Sequence, residues 1–331
     1  MTTSATISIR PQWQQELAQA VTDPHELIQL LDLTDQVSTD DIAARRLFPL
    51  RVPKHFVSLM SRGDRNDPLL LQVLPNADEF VEAPGYTTDP LVEQGSTQAL
   101  LHKYQSRVLI IFRGGCAINC RYCFRRHFPY EDHHFGAQER AHLLNYIKQD
   151  PAINEVILSG GDPLMATDQQ LARLLTELEA LPQLKRIRIH SRLPVVIPSR
   201  LTRKLAERLQ QSRLQCILVL HANHPREVSP ALHAGTQLWA AHGITLFNQS
   251  VLLKGVNDSA ETLTELSEAL FDARIMPYYL HQLDKVAGAS HFAVSDEGAR
   301  LIEAELRARL PGFLVPKLVR EIAGEPSKTP L

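Results

Sequence analysis

Six short aliphatic runs alternate with segments of helical length between residues 108 and 281. Runs rich in Val, Ile and Leu that are separated by amphipathic segments are typical of βαβ units, in which helices join parallel strands. The predicted strands are residues 108–112, 155–159, 186–190, 215–221, 245–250 and 276–281. The alternation therefore predicts an α/β fold built on a parallel sheet.

The number of strands limits the shape of this sheet. Six strand–helix units are too few to close an eight-stranded barrel, but they suit a barrel that is open on one side. The helices predicted between the strands are residues 138–149, 169–180, 200–211, 230–241 and 260–273. We therefore expect residues 96–290 to form a partial (β/α)6 TIM-like barrel.

The segments on either side of the barrel differ from it. Residues 13–21, 24–31 and 39–47 have helical apolar spacing, and a stretch rich in Pro, Asp and Gly follows them. We expect residues 1–95 to be an N-terminal helical region with a connecting segment. Residues 291–331 are expected to add one helix, at 296–309, and a short C-terminal extension.

Composition narrows the classes of partner. Of the 331 residues 44% are hydrophobic, which is enough for one large core. The formal net charge of −2 provides no basic field for a polyanion, so we expect no nucleic-acid partner. Residues 1–20 contain no continuous apolar run, so we expect no signal peptide, no membrane contact and a cytoplasmic protein.

Polar or unusual residues end or follow every predicted strand of the barrel. In parallel α/β barrels the ligands bind at the C-terminal ends of the strands, so these residues are expected to meet in one site. In strand order they are Cys116, then Gly160, Gly161 and Asp162, then Ser191 and Arg192, then His221, Gln249 and Asp284.

Three of the four cysteines lie in one short loop, at Cys116, Cys120 and Cys123. In a reducing compartment such a group indicates metal ligands rather than disulfides. Three thiolates on a four-iron cube leave one iron free to bind a small molecule. The fourth cysteine, Cys216, lies in an apolar run and is expected to be a buried hydrophobic residue.

A zinc site of three cysteines and one histidine is the alternative interpretation. His127, His133 or His134 could supply the fourth ligand. A free-standing zinc module is less consistent with the strand that precedes the loop. The glycines at 114 and 115 also favour a loop that curls around a cluster and directs backbone N–H groups at it.

The C-x3-C-x2-C spacing, with Tyr122 before the last cysteine, resembles the hallmark of the radical S-adenosylmethionine (SAM) superfamily. The stretch 159–163 resembles its second signature, which contacts the amino group of SAM. The resemblance implies a 4Fe-4S cluster whose open iron binds SAM and cleaves it to a 5′-deoxyadenosyl radical. It also implies a set of residues around SAM, namely Tyr122, Ser159, Gly160, Gly161, Asp162, His221 and Gln249.

Within that superfamily the chain resembles the lysine 2,3-aminomutase family. The stretches that carry this resemblance are 104–107, 120–126, 191–196, 223–225, 248–253, 277–279 and 327–330. The resemblance implies conversion of (S)-α-lysine to (R)-β-lysine, with pyridoxal 5′-phosphate (PLP) as a further cofactor. It is strongest to the branch that supplies β-lysine for modification of elongation factor P, which lacks the long cysteine-bearing extension of the catabolic enzymes.

The same resemblance assigns residues to PLP and to the substrate. Lys328 is expected to bind PLP covalently, with Lys103 and Lys317 as competing lysines, and Arg107 to bind its phosphate. Arg125 is expected to hold the substrate carboxylate. Asp284 and Glu321 are expected to hold the distal ammonium group. Glu321 departs from the catabolic enzymes, which have an aspartate there, and residues 325–327 replace their run of glycines.

Other substrates and partners follow from the same comparison. An aminomutase acting on another amino acid, such as glutamate or arginine, is the alternative, although a pair of carboxylates favours a cationic side chain. The expected partners are L-lysine, a one-electron donor such as a flavodoxin or ferredoxin, and a functional link to elongation factor P and its lysyl ligase.

Overall fold

The computed structural model describes residues 10–93, 100–130 and 135–331. Its centre is one sheet of nine strands, each hydrogen-bonded to the next in chain order. Strands β2 to β8 pair in parallel, whereas β1 and β9 pair antiparallel with their neighbours. The strands are β1 Leu100–Tyr104, β2 Arg107–Arg113, β3 Glu155–Gly160, β4 Arg186–Ser191, β5 Gln215–Leu220, β6 Thr245–Val251, β7 Met276–His281, β8 Lys317–Arg320 and β9 Thr329–Pro330.

The six predicted strands are β2 to β7, and each of their ends lies within one residue of its prediction. The predicted α/β fold is confirmed, and the linear strand order leaves the sheet open within the described residues, as expected of a partial barrel. Three strands were not predicted: β1, β8 and β9. All three are short and contain polar residues or proline, so none has a long apolar run, and β1 and β9 are the two edge strands of the sheet.

Helices cover the outer face of the sheet because each presents one apolar stripe. In the helix Asp168–Glu179 the buried residues are Leu171, Leu174, Leu175 and Leu178, and Thr167 caps its first turn. None of the helices in the described ranges is long and apolar enough to cross a membrane. The helices of the barrel and of the C-terminal segment are α6 Ala137–Gln149, α7 Asp168–Glu179, α8 Leu193–Val196, α9 Arg203–Gln210, α10 Pro230–Ala241, α11 Ala260–Asp272 and α12 Asp296–Arg309.

The N-terminal helical region packs directly on the barrel. Trp13, Leu27 and Phe56 belong to the same apolar cluster as Val108 and Ile110 of β2, and all five are buried. Shared burial of this kind makes the two regions one hydrophobic core. The helices of this region are α1 Gln12–Ala18, α2 Pro24–Leu30, α3 Thr39–Ala43, α4 Lys54–Val57 and α5 Pro68–Leu71.

Side chains bridge the open side of the sheet. The Nζ atom of Lys103, on β1, lies 2.6 Å from Oε1 of Glu321, a residue that follows β8. The same Nζ atom donates a second hydrogen bond to the Ile322 carbonyl at 3.0 Å. The Tyr104 hydroxyl also donates to Glu321, at 3.3 Å. We call this contact between Lys103, Tyr104, Glu321 and Ile322 the seam.

Candidate active site

A cavity of about 600 Å³ lies at the C-terminal ends of the parallel strands. This size is typical of small-molecule sites. Every residue to which the sequence assigns a ligand-binding role lines it, although the roles themselves stay predictions. Those residues are Arg107, Cys116, Cys120, Tyr122, Cys123, Arg125, Ser159, Gly160, Gly161, Asp162, His221, Gln249, Asp284, Glu321 and Lys328.

The cysteine loop, residues 116–123, is held from outside the barrel by the N-terminal region. The backbone N–H of Asn119 donates to the Arg51 carbonyl at 3.0 Å, and that of Arg121 donates to the Gln72 carbonyl at 2.8 Å. The Arg51 side chain donates in turn to the Cys116 carbonyl at 3.2 Å. The backbone of a loop that carries three sulfurs is thus fixed by residues distant in sequence.

A buried carboxylate fastens the same loop further. Glu79 pairs with Arg121 and with Arg126, and all three side chains are completely buried. Nε of Arg121 lies 2.7 Å from Oε1 of Glu79, and Nη2 of Arg126 lies 2.5 Å from Oε2. Because two guanidinium groups share one carboxylate, this group of three side chains keeps a net positive charge, which suits an anionic cluster nearby.

The thiols of the loop are partly buried and interact with one another. Burial raises the pKa of Cys116 well above its ordinary value and raises the pKa of Cys123 to about 11, and in both cases the neighbouring cysteines add to the effect. The ligand-free protein therefore holds these two thiols protonated. Metal binding must displace the protons.

The alternative of a zinc site requires a fourth ligand beside the three cysteines. Within the described ranges no three His, Cys, Asp or Glu side chains are grouped as ligands of a single metal ion. Thiolates around a four-iron cube each bind a different iron, so they need not converge on one point. His127 contacts the Ala287 carbonyl at 3.2 Å, and His133 and His134 lie outside the described residues.

Gly160 and Gly161 allow the end of β3 to touch the start of the cysteine loop. Gly160 has a φ of +109°, and a Cβ on Gly161 would lie 2.6 Å from the Gly115 carbonyl oxygen. The Gly161 N–H donates to the Arg113 carbonyl at 2.7 Å, and the Asp162 N–H donates to the Gly115 carbonyl at 2.9 Å. Glycine is therefore required here by the close approach of two backbones.

The Asp162 carboxylate is engaged within the protein. It accepts hydrogen bonds from the backbone N–H groups of Leu164, Arg192 and Leu193 and from the Ser191 hydroxyl, at 2.7 to 3.0 Å. Burial raises the pKa of Asp162 to about 6, although these bonds favour the ionised form. In this structure Asp162 joins the loops after β3 and β4, and its contact with the SAM amino group stays a prediction.

Arg125 holds a carboxylate of the protein itself. Its Nε and Nη2 atoms lie 2.7 and 3.0 Å from the two carboxylate oxygens of Glu93. Its Nη1 atom donates to the Ser159 hydroxyl at 3.1 Å and to the Gly160 carbonyl at 3.2 Å. Both side chains of the pair are largely buried, so the planar fork of Arg125 is already arranged for two-point carboxylate binding.

Glu321 binds ammonium groups from two lysines. The Nζ atom of Lys328 lies 2.5 Å from Oε2 of Glu321, opposite the contact from Lys103. Burial raises the pKa of Glu321, but the two ammonium groups outweigh it and lower the pKa to about 2. Lys317, the other competing lysine, is exposed on β8.

Asp284 lines the same cavity as these two ion pairs. Burial raises its pKa to about 7, and it senses the charges of Lys328, Glu321, Glu93 and Arg125. A carboxyl group with this pKa is partly protonated at neutral pH, and an arriving cation would favour its ionised form.

Histidines form the inner wall of the cavity. His221 contacts Gln249 at 3.0 Å through Nε2, and its ring lies 5.9 Å from that of His190. The buried Nε2 atoms of His190 and His281 have no hydrogen-bond partner in the part of the chain that the structure describes. Burial lowers the pKa of all three histidines, so the imidazoles are neutral and available as ligand contacts.

Of the strand-end residues expected in the site, Arg192 lines the cavity and Ser191 is not among its lining residues. Sequence patterns did not single out Glu93, Arg188, His190 or His281, all of which line the cavity. For two of them a signal exists in the sequence. Strand β4 alternates Arg186, Arg188 and His190 with apolar residues, whereas a parallel strand covered on both faces is expected to be continuously apolar. Such alternation indicates a strand that faces a polar cavity.

The residues present fit the groups that the sequence suggested. Three sulfurs line one cavity beside fixed positive charge, which is the donor set of a cluster with one open iron. A lysine amine, Lys328, lines the same cavity together with Arg107, a cation that a phosphate could contact. The space and chemistry for a cluster and for PLP therefore exist together.

Comparisons with known proteins agree with this chemistry. The family model of the Radical SAM superfamily matches residues 110–266. The chain is 54% identical to L-lysine 2,3-aminomutase of Escherichia coli (strain K12), over 97% of this chain and 95% of that protein. The chain belongs to the lysine 2,3-aminomutase family. As a radical SAM protein of this family it uses a 4Fe-4S cluster, SAM and PLP.

Two further relatives show how far the similarity extends. L-lysine 2,3-aminomutase of Haemophilus influenzae is 50% identical, over 96% of this chain and 94% of that protein. The enzyme of the same name from Clostridium subterminale is 33% identical, over 96% of this chain but 77% of its own length. The chain therefore corresponds to nearly all of the first two relatives and to about three quarters of the third.

Proposed function

We propose that this protein is an L-lysine 2,3-aminomutase, which converts (S)-α-lysine to (R)-β-lysine. One observation carries the proposal: in one cavity Arg125 holds a carboxylate and Glu321 holds an alkylammonium group. In the ligand-free protein Glu93 and Lys328 supply these groups. A lysine molecule presents the same two groups at its two ends.

The residues of the chain would bind and orient the substrate. When bound, the cluster and SAM supply a carbon-centred radical, and PLP supplies the conjugated system that stabilises a migrating amino group. Arg125 would bind the α-carboxylate through its fork, beside the cysteine loop where the radical arises. Asp284 and Glu321 would bind the distal ammonium group and so fix the direction of the side chain.

Two cationic residues would hold PLP. Lys328 lines the cavity and would attach the cofactor covalently between turnovers, which requires its amine to leave Glu321. Arg107 stacks over the Tyr104 ring at 3.7 Å and lines the same cavity, so it would bind the phosphate from a fixed position. Release of Lys328 would leave Oε2 of Glu321 to accept the substrate ammonium, while Lys103 still holds Oε1.

An aminomutase acting on another amino acid is the second candidate. The side-chain end of the cavity carries Asp284 and Glu321, so glutamate would meet like charges there, whereas arginine would meet opposite charges. The acidic pair supports a cationic substrate and does not by itself distinguish lysine from arginine.

The deciding experiment is turnover under anaerobic conditions. Protein reconstituted with iron and sulfide is incubated with SAM, PLP, dithionite and one of L-lysine, L-arginine or L-glutamate, and products are identified by mass spectrometry after chiral derivatisation. We expect β-lysine from lysine alone, and none when SAM is omitted. Turnover of arginine or glutamate without β-lysine would refute the substrate, and protein that takes up zinc but no iron would refute the reaction class.

The cellular context is also proposed. We infer that the protein works in the cytoplasm, receives its electron from a flavodoxin or ferredoxin, and supplies β-lysine to the ligase that modifies elongation factor P. The support is the resemblance of the sequence to that branch of the family. Intact-mass measurement of elongation factor P from cells lacking this protein would test it, since we expect the β-lysyl mass to be absent.

A further inference from the structure

Arg192 lies directly against the cysteine loop. It follows β4, its residue is 5% exposed, and its Nη1 atom lies 2.8 Å from Sγ of Cys120. The same atom donates to the Tyr122 hydroxyl, which Asn223 also contacts at 2.7 Å. A cluster ligand therefore has an arginine N–H directed at its sulfur.

Two buried groups fix the orientation of this guanidinium. Its Nη2 atom donates to Oε1 of Gln72 at 2.7 Å and to Oε2 of Glu227 at 3.1 Å. Gln72 and Glu227 are both fully buried, and Gln72 also donates to Glu227 at 2.9 Å. Because these bonds hold Nη2 of Arg192, its Nη1 atom is kept directed at Sγ of Cys120.

We propose that Arg192 raises the reduction potential of the cluster through this N–H···S hydrogen bond, and that Glu227 moderates the effect. Reduction adds one negative charge to the cluster and its thiolates, and a nearby fixed positive charge stabilises that charge. Glu227 contacts the opposite nitrogen of Arg192, so its carboxylate offsets part of the positive charge from a greater distance. Arg192 is a positioning residue that acts through Cys120.

The consequence concerns the first step of the reaction. Cleavage of SAM requires one electron from the reduced cluster, and an external one-electron donor supplies it. A higher potential increases the fraction of enzyme that a given donor reduces. This inference rests on the cluster and not on the substrate, so it stands or falls independently of lysine turnover.

The test is an anaerobic redox titration followed by electron paramagnetic resonance, with dithionite as reductant and without SAM. For Arg192→Met we expect the ratio of reduced to oxidised cluster at a fixed potential to fall about tenfold, which corresponds to about 59 mV for a one-electron couple. For Glu227→Gln, which keeps the shape and removes the counter-charge, we expect the ratio to rise. Opposite signs distinguish charge from structural disturbance, because a loosened loop would shift both variants in the same direction.

Arg200 provides the matched control. It is a fully buried arginine that bonds to Asp168 and to the carbonyls of Leu164 and Ala166, and it is not among the residues that line the cavity. Arg200→Met removes a buried charge of the same kind, so we expect the cluster potential to stay at the wild-type value.

Three results would overturn the inference. They are an unchanged potential in Arg192→Met with full iron content, shifts of the same sign in the Arg192 and Glu227 variants, and a shift that occurs only after SAM is added. The last would place the effect of Arg192 on SAM. If Arg192→Met fails to retain the cluster, Arg192→Lys and Glu227→Gln decide the matter, because a potential unchanged in both contradicts the proposal.

Discussion

Glu93 and Arg125 form a two-point ion pair inside the cavity, with N–O distances of 2.7 and 3.0 Å. A carboxylate of the protein thus occupies the fork that is proposed to bind the carboxylate of the substrate. Substrate binding would replace the Glu93 carboxylate on Arg125 with the carboxylate of the substrate. The free energy needed to break the Glu93–Arg125 pair therefore lowers the affinity for the substrate.

Replacing Glu93 should therefore tighten substrate binding. In Glu93→Gln the competing charge is removed, and because a hydrogen bond to a charged group contributes about 1.5–3 kcal/mol, we expect the KM for lysine to fall about tenfold. Glu82→Gln, at an exposed position of the same segment, should leave KM unchanged. A higher KM in Glu93→Gln would mean instead that Glu93 supports Arg125 while substrate is bound.

Lys328 and Lys103 both contact Glu321, which makes them a matched pair for locating the PLP lysine. We expect Lys328→Ala to abolish covalent attachment of PLP and Lys103→Ala to retain it. Borohydride trapping followed by peptide mass spectrometry identifies the modified residue. Recovery of labelled Lys103 from the wild-type protein would reverse the assignment.

Asp284 should give lysine binding a pH dependence near neutrality. Because burial raises its pKa to about 7, the carboxyl group is mostly neutral below that pH and binds a cation poorly. We expect the KM for lysine to rise about tenfold for each unit of pH below about 7 and to level off above it. Asp284→Asn should bind lysine weakly and lose this dependence, and a profile identical in the variant would assign the titration to another group.

Glu79 should control both folding and cluster retention. Glu79→Gln leaves Arg121 and Arg126 buried without their counter-charge, and breaking a buried pair in this way costs about 3–5 kcal/mol. Chemical unfolding measures the loss, and the iron content after reconstitution shows whether the cysteine loop still assembles. The control is Glu303→Gln on α12, whose partner Arg307 is 68% exposed, and we expect a change below about 0.5 kcal/mol.

Long periodic elements could be predicted from the sequence, and contacts between distant segments could not. Strands β2 to β7 have continuous or alternating apolar runs, and residues at their C-terminal ends were expected to meet. The pairing of Glu93 with Arg125 and of Arg192 with Cys120 joins segments separated by 32 and 72 residues. The strand pattern places Arg192 and the cysteine loop at the same end of the sheet, but it does not specify the individual pairs, which depend on how the N-terminal region and β4 pack around one loop.

The strands at the margins of the sheet, β1, β8 and β9, could not be predicted for a different reason. Strand β9 has only two residues, one of them proline, and its position depends on pairing with β8. Lys328 precedes β9 directly, so the residue proposed to hold PLP is placed by a strand that has no propensity of its own. The resemblance to a family identified this lysine, and the physical pattern alone favours a solvated tail residue.

At the seam the two margins of the sheet are joined by an ion pair and side-chain hydrogen bonds, and not by the backbone hydrogen bonds of paired strands. Lys103 and Tyr104 reach Glu321 through side chains alone, so this junction can part without breaking a strand ladder, and dissolved salt weakens it. Glu321 is also the carboxylate proposed to receive the substrate ammonium. A bound substrate lysine would then compete with Lys103 for the carboxylate of Glu321. Occupancy of the cavity is thereby coupled to the strength of the contact between the two margins of the sheet.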